Sequence, residues 1–221
     1  MVFAPHPDDE TLGCGGTIAK KISQGFEVFI VLVTDGRHSY SKVLGIQSNP
    51  SPEELVQIRK EEFKRAASIL EVPEKNLLSL DFEDGTLEEH EKEAEARIVG
   101  ILKEYSPSEV YFSFRRDCHP DHRSLSRIVV RGIRESGLAC GSYQYSIIHK
   151  YARFGPIMER VVSLFKRNTV RTDISEFLDL KEKAIKTYRS ELAIISGKQN
   201  GALQRNIKCF LKKEEVFYVF R

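Results

Sequence analysis

Short apolar runs alternate along the chain with longer segments whose apolar residues recur at the helical period. Glu27–Thr34 is a continuous apolar, β-branched run, which is typical of a buried central strand. The other predicted strands are shorter runs of the same kind, at Val2–Ala4, Leu77–Phe82, Val110–Phe114 and Val216–Phe220. Strands that alternate with helices predict an α/β fold with a mostly parallel sheet.

Segments with helical periodicity lie between these strands. The predicted helices are Thr11–Ser23, Glu53–Leu70, a helix between Leu87 and Tyr105, a helix from Asp121 to just before Gly137, and Glu176–Ile195. Ser51, Pro52 and Glu54 form a capping-box pattern at the start of the second helix. The stretch Arg37–Pro52 has no periodicity and predicts a long loop, whereas Ser142–Arg171 indicates no definite element.

Length and composition indicate one globular domain spanning residues 1–221, with the part beyond about residue 140 less clearly assigned. The chain is 41% hydrophobic and 30% charged, which argues against disorder, and its net charge of +2 gives no support for nucleic-acid binding. Four widely spaced cysteines without a CxxC pair favour reduced thiols. No signal peptide or transmembrane segment is indicated, so we expect a cytoplasmic protein. The first strand is very short, unless residues precede Met1.

Two similar polar motifs follow two of the predicted strands. His-Pro-Asp-Asp-Glu occupies residues 6–10, after the first strand, and His-Pro-Asp-His occupies residues 119–122, after the strand that ends at Phe114. Loops at the carboxyl ends of strands line the ligand-binding crevice of an open parallel sheet. We therefore expect the two motifs to meet in one cleft.

The residue types in these motifs suit a catalytic metal. Zinc usually takes three protein ligands from His and Asp or Glu and keeps one position for water, whose pKa falls to about 7, and two His with one carboxylate also suit Fe(II). Cys118 is a further candidate ligand, although the other residues explain a site without it. The alternative is that the histidines are ordinary loop residues and the acids favour helix N-termini. Two copies of the motif, each with a proline that restricts the backbone, favour the metal site.

Residues 6–19, together with residues 119–122, resemble the PIG-L/LmbE-like family of N-acetylglucosamine deacetylases. The resemblance extends from residue 1 to about residue 135. It implies a Rossmann-like, three-layer fold and zinc-dependent removal of acetyl from a GlcNAc unit. The metal ligands it implies are His6, Asp9 and His122. The catalytic residues it implies are Asp8 as general base, His119 as general acid and oxyanion stabiliser, and Asp121 as the residue that orients His119. We also expect the negative charge of Asp121 to raise the pKa of His119.

Arg59 and Glu62 fall inside the apolar stripe of the helix that starts at Glu53. Their i,i+3 spacing permits a structural ion pair, but the family's Arg-x-x-Glu segment matches here and implies that Arg59 contacts substrate. Asp84 reads as a turn residue, and the resemblance implies that it bonds sugar hydroxyls. The chain departs from the family at residues 188–191, where it has Tyr-Arg-Ser-Glu and many members have His-x-Ser-Gln.

The expected function is therefore hydrolysis of the N-acetyl group of a GlcNAc-containing small molecule or conjugate, with Zn²⁺, or alternatively Fe²⁺, as cofactor. The alternatives are a metal-dependent phosphoesterase or another amidohydrolase on the same site, and a sugar-binding protein that has lost catalysis. A two-metal phosphoesterase needs more carboxylates than the motifs supply. The aglycone of the substrate is open, and so is a homo-oligomeric state.

Overall fold

A seven-stranded sheet runs through the residues that the computed structural model describes, which are 1–147, 168–203 and 207–220. Its strands are β1 (Val2–Ala4), β2 (Ile30–Thr34), β3 (Leu77–Phe82), β4 (Glu109–Ser113), β5 (Gly141–Tyr145), β6 (Thr169–Asp173) and β7 (Glu214–Val219). The α-helices of the described residues are α1 (Asp9–Ser23), α2 (Ser39–Leu44), α3 (Pro52–Ile69), α4 (Glu91–Tyr105), α5 (Pro120–Ser136), α6 (Leu178–Ile185) and α7 (Arg189–Leu192).

The strand order is β3-β2-β1-β4-β5-β7-β6. The first five strands pair in parallel, and β7 pairs antiparallel with both β5 and β6. The chain leaves β1 toward β2 and β3 and then returns to place β4 on the other side of β1. The carboxyl ends of β1 and β4 therefore flank a topological switch point, where open α/β sheets bind ligands. The predicted α/β fold with a mostly parallel sheet is confirmed.

Alternate residues of the central strands pack into two separate cores. Val2 and Ala4 of β1 join the core that contains α1, α3 and α6, whereas Phe3 joins the core that contains α4 and α5. Residues of β2 divide in the same way. Because side chains alternate between the faces of a strand, a continuous apolar run is what a strand buried on both faces requires. The result is three layers, with helices on both sides of the sheet.

The long loop predicted over Arg37–Pro52 was partly wrong, because it contains α2. Six residues are too few to display a helical period. Tyr40 fixes this helix, since its side chain is 1% exposed and its hydroxyl donates to the carbonyl oxygen of Ser190 at 2.7 Å. The capping box before α3 is confirmed, because the Ser51 hydroxyl accepts from the Glu54 amide and the Glu54 carboxylate accepts from the Ser51 amide.

The helix predicted over Glu176–Ile195 is not continuous. Ser175–Phe177 is a 3₁₀ turn, α6 ends at Ile185, and α7 starts at Arg189. Just after the break, the amide of Ser190 donates to the Glu62 carboxylate at 2.9 Å instead of to a carbonyl oxygen of the preceding helical turn. In the segment Ser142–Arg171, the described parts include the end of β5 and the start of β6, and residues 148–167 lie outside the described residues.

Glycines in α1 let this helix lie close to its neighbours. A Cβ atom at Gly13 would lie 2.7 Å from Cγ of Tyr145, and a Cβ at Gly16 would lie 2.7 Å from Cβ of Ile174. Real side chains do not tolerate such distances without movement of the neighbour. The close approach matters for the site, because α1 begins at Asp9 in the first polar motif.

Replacement of Gly16 by alanine tests this packing. Alanine has the better helix propensity, but its methyl group would overlap Ile174, so we expect Gly16→Ala to lower the free energy of unfolding by about 1–3 kcal/mol. The matched control is Gly100→Ala in the interior of α4, where an added Cβ meets nothing within 4 Å. This change should raise the free energy of unfolding by roughly 0.5–1 kcal/mol. Urea denaturation measures both, and a Gly16→Ala protein as stable as the Gly100→Ala protein would contradict the packing described here.

Candidate metal centre and active site

The two predicted motifs meet at the switch point of the sheet. His6 and Asp9 follow β1, and His122 lies in the first turn of α5, after β4. All three residues are buried, with relative exposures of 9%, 3% and 1%. The rings of His6 and His122 are 5.3 Å apart between centroids, so the convergence expected from the sequence is confirmed.

Three potential ligand atoms form a nearly equilateral triangle. Nδ1 of His6 lies 3.2 Å from Oδ2 of Asp9, Nε2 of His122 lies 3.1 Å from the same oxygen, and the two nitrogens are 3.3 Å apart. Ligands of a tetrahedral zinc at 2.0–2.1 Å are separated by roughly 3.3–3.4 Å. The three atoms therefore fit three corners of a tetrahedral metal site and leave the fourth corner open.

A second set of potential ligands overlaps the first at His6 and comprises His6, Asp84, His119 and Asp121. The carboxylate oxygens of this set already accept main-chain hydrogen bonds. Asp121 accepts from the amides of residues 85 and 87, at 2.7 and 3.2 Å, and Asp84 accepts from the amide of residue 38 at 3.0 Å. The two carboxylates face Nε2 of His6, and this placement favours support of His6 over a primary ligand role.

The far nitrogen of His6 faces these two supporting carboxylates. Its Nε2 lies 3.2 Å from Oδ1 of Asp84 and 3.2 Å from Oδ2 of Asp121. A histidine that binds a metal through one nitrogen usually donates from the other to a carboxylate, which sets the tautomer and the ring orientation. With a metal bound, this donation from Nε2 would leave Nδ1 of His6 unprotonated toward the triangle.

His122 has an equivalent partner that the sequence analysis missed. Its Nδ1 lies 3.3 Å from Oδ2 of Asp117, a buried carboxylate whose other oxygen accepts from the His119 amide at 3.2 Å. The available signal was chemical, since each metal-bound histidine needs an acceptor behind it and Asp117 precedes the second motif by two residues.

The pKa values at this centre indicate an excess of negative charge. Burial alone lowers the pKa of His6, but the neighbouring carboxylates, Asp84 above all, raise it well above its usual value. In the same way Asp9 overcomes burial and raises the pKa of His122 to about 9. Burial raises the pKa of Asp9, yet the two imidazoles hold it well below its usual range. A bound cation would balance the negative charge of these carboxylates, and the imidazoles could then be neutral ligands.

Asp8 lies next to the triangle in a strained backbone conformation. Its φ is +113° and its ψ is −29°, a region that costs a non-glycine residue about 1–3 kcal/mol. Burial and the charge of Asp9 raise the pKa of the Asp8 carboxyl well above its usual value, against the effect of Arg59. Strain of this kind persists where the surroundings enforce it, and it marks functional sites.

His119 lies beside the triangle, with a ring nitrogen within 4.8 Å of nitrogens of His6 and His122. Its Nδ1 accepts from the main-chain amide of Asp121 at 3.2 Å, so the neutral ring carries its proton on Nε2. Burial, His6 and His122 lower the pKa of His119 to about 4. As expected from the sequence, the Asp121 carboxylate raises the pKa of His119. The lowering by burial, His6 and His122 is larger, so the net shift is downward.

Arg59 and Glu62 do not form the ion pair that their spacing permits. Nη1 of Arg59 lies 2.8 Å from Oε1 of Glu191, and Nη2 donates to the carbonyl oxygen of Pro7 at 2.6 Å. The carboxylate of Glu62 accepts instead from the amide and the hydroxyl of Ser190. Glu191 and Ser190 both belong to residues 188–191, the segment that differs from the family pattern.

The sequence profile of the family PIG-L, GlcNAc-PI de-N-acetylase, matches residues 1–133 of the 221-residue chain. The chain belongs to this family. The resemblance drawn from the two motifs is confirmed, and the match covers β1 to α5, the part of the PIG-L fold that carries the triangle and its supporting carboxylates.

Relatives of this PIG-L protein include two deacetylases. The diacetylchitobiose deacetylase of Thermococcus kodakarensis is 30% identical over 196 residues, which cover 86% of this chain and 69% of that protein. A probable N-acetyl-alpha-D-glucosaminyl L-malate deacetylase 2 of Bacillus cereus is 31% identical over 193 residues, covering 86% and 82%. Among solved structures, N,N'-diacetylchitobiose deacetylase from Pyrococcus horikoshii aligns with a TM-score of 0.75 over 99% of this chain and 82% of that chain, at 23% identity, which supports the fold.

Within the described parts of the chain, no helix has the length and hydrophobicity that a bilayer crossing requires. The four cysteines, all among the described residues, form no disulfide. A single domain over residues 1–221, a cytoplasmic location and a homo-oligomeric state stay predictions.

Asp117 provides the first test of the metal centre. An asparagine in its place is a weaker acceptor for Nδ1–H of His122, so we expect Asp117→Asn to lower the affinity for Zn²⁺ about 10–100-fold. Competition with a colorimetric chelator measures the change. The control is Asp81→Asn, because the Asp81 carboxylate is 60% exposed and lies 3.4 Å from Lys60. Equal affinities of the two variants would remove Asp117 from the centre.

Proposed function

We propose that this PIG-L protein is a metal-dependent hydrolase that removes the N-acetyl group from a GlcNAc-containing small molecule or conjugate. The observation that carries the proposal is the triangle of ligand atoms from His6, Asp9 and His122, whose edges measure 3.1–3.3 Å, beside a strained aspartate. The relatives named as deacetylases of diacetylchitobiose and of a glucosaminyl malate indicate the class of substrate.

Zinc is the proposed cofactor, and Fe²⁺ is the alternative that the same two-histidine, one-carboxylate set accepts. Such an ion, when bound, supplies Lewis acidity toward the acetamide oxygen and lowers the pKa of water. His6, Asp9 and His122 would hold it. Asp84, Asp121 and Asp117 would keep the imidazoles in the tautomers that ligation requires.

Asp8 is the proposed general base. Asp8 immediately precedes Asp9 of the triangle, and the two carboxyls are close enough for the charge of Asp9 to raise the pKa of Asp8. Asp8 accepts a proton from the attacking water and then returns this proton to the nitrogen of the leaving amine. Both transfers require that the carboxylate keep one position throughout the reaction.

His119 is the proposed donor to the acetamide oxygen. Negative charge accumulates on this oxygen in the transition state, and the Nε2–H of His119 offers a hydrogen bond that strengthens as the charge grows. The Asp121 amide fixes the ring by its bond to Nδ1. The general-acid role predicted for His119 stays a prediction, and its hydrogen-bond geometry favours the oxyanion-stabilising part of that role.

The two residues predicted to bind substrate have contacts of another kind. Asp84 uses one oxygen for the amide of residue 38 and directs the other at His6. These contacts favour a role in orienting His6 over a bond to sugar hydroxyls. Arg59 is 3% exposed, its Nη2 donates to the carbonyl oxygen of Pro7, and its Nη1 lies 2.8 Å from Oε1 of Glu191.

One assay distinguishes three candidate functions of the site: a deacetylase, a phosphoesterase and a sugar-binding protein. The enzyme, loaded with Zn²⁺ or with Fe²⁺, is incubated with N,N'-diacetylchitobiose, GlcNAc-malate and GlcNAc-inositol and, separately, with an aryl phosphate. We expect acetate release from at least one GlcNAc compound and no phosphate release. Phosphate release would support a phosphoesterase instead, and a protein that binds the sugars but releases nothing would be a binding protein.

The roles of Asp8 and His122 are separated by paired variants. Asp8→Asn should keep one metal ion per chain and lose at least about a hundredfold in kcat, because a base is removed and no ligand is. His122→Ala should lose metal and activity together. Metal analysis and acetate release measure both variants, and full activity in Asp8→Asn would exclude Asp8 as the base.

A further inference from the structure

The peptide bond between Pro7 and Asp8 is held from both of its ends. Its carbonyl oxygen accepts from Nη2 of Arg59 at 2.6 Å, and its amide donates to Oε2 of Glu10 at 3.2 Å. The orientation of this peptide plane sets the φ angle of Asp8. Two opposed hydrogen bonds therefore account for an angle of +113° that the residue would not adopt unaided.

Each of the two side chains that hold this peptide is itself held by the C-terminal segment. Glu191 pairs with Arg59 at 2.8 Å, and the hydroxyl of Tyr188 donates to Oε1 of Glu10 at 2.5 Å. We call these four residues the Asp8 clamp: Arg59, Glu10, Glu191 and Tyr188. The segment that departs from the family pattern thus supplies half of the clamp.

The members of the Asp8 clamp are buried. The side chains of Arg59 and Glu191 are 4% and 12% exposed, and Glu10 and Tyr188 are 0% and 1% exposed. Nη1 of Arg59 also approaches the carbonyl oxygen of Gly36 at 3.4 Å. A buried guanidinium requires a counter-ion, and Glu191 provides it.

We propose that the Asp8 clamp positions the catalytic base and that Glu191 and Tyr188 act in it as positioning residues. This inference rests on the proposed function. A positioning residue affects the rate of the chemical step and leaves substrate binding unchanged, whereas a substrate contact affects KM.

Glu191→Gln and Tyr188→Phe test the proposal, since each removes one interaction and keeps the volume of the side chain. We expect kcat to fall about 10- to 100-fold in Glu191→Gln and less in Tyr188→Phe, with KM within about twofold of the parent value. Metal content should stay at that of the parent protein. A raised KM with unchanged kcat in either variant would overturn the proposal.

Glu215→Gln is the matched control. Glu215 forms another buried ion pair, 2.6 Å from Nζ of Lys181, but its carboxylate binds the amides of Gly16 and Thr17 rather than the Pro7–Asp8 peptide. This variant should lose stability and keep kcat within about twofold. A loss of kcat equal to that of Glu191→Gln would mean that general loosening is responsible, and the clamp would be rejected.

A crystal structure of Glu191→Gln tests the clamp without any activity. We expect Asp8 to relax to a negative φ, and an unchanged φ near +113° would overturn the proposal. A parent enzyme that releases no acetate from any GlcNAc compound would instead refute the proposed function, and the φ angle of Asp8 would still decide on the clamp.

Discussion

The structure depends on one electrostatic constraint, which is the burial of several carboxylates and two imidazoles together at the switch point of the sheet. Buried charges are costly unless they are paired and hydrogen-bonded. Here Asp9 faces both His6 and His122, and a further carboxylate stands behind each imidazole. The cluster still carries more negative than positive charge, which makes a cation the natural completion of the centre. The same excess explains why so many main-chain amides point at these carboxylates.

Those amides connect the centre to neighbouring strands of the parallel part of the sheet. The loop after β3 supplies two amides to Asp121, and the loop after β2 supplies one to Asp84. The three residues of the triangle follow β1 and β4. Four adjacent strands therefore contribute to one site through their carboxyl ends, and the geometry of the ligands follows from the register of the sheet. A site built in this way needs little support from side-chain packing of its own.

The sequence predicted what is encoded locally. Apolar periodicity predicted the central strands and the long helices, and two proline-bearing motifs after strands predicted the convergence of His6, Asp9 and His122, because each signal lies within a few consecutive residues. The missed features depend on tertiary contacts. Asp117 acquires its role from the position of His122, and α2 is stabilised by the bond of Tyr40 to Ser190. Arg59 pairs with Glu191 across 132 positions of the chain, so its i,i+3 neighbour was the wrong partner.

The C-terminal part of the chain contacts the first helix, which carries Asp9 and follows His6 and Asp8. The family profile ends at residue 133, but residues beyond it return to the first helix. Lys181 and Glu215 bind main-chain atoms of α1, and Tyr188 binds Glu10 in its first turn. The ligand-bearing motif is therefore completed by contacts from a segment that its own sequence does not specify. Because Asp8 occupies a conformation that its own residue type disfavours, the contacts of Tyr188 with Glu10 and of Glu191 with Arg59 must supply the energy that keeps it there.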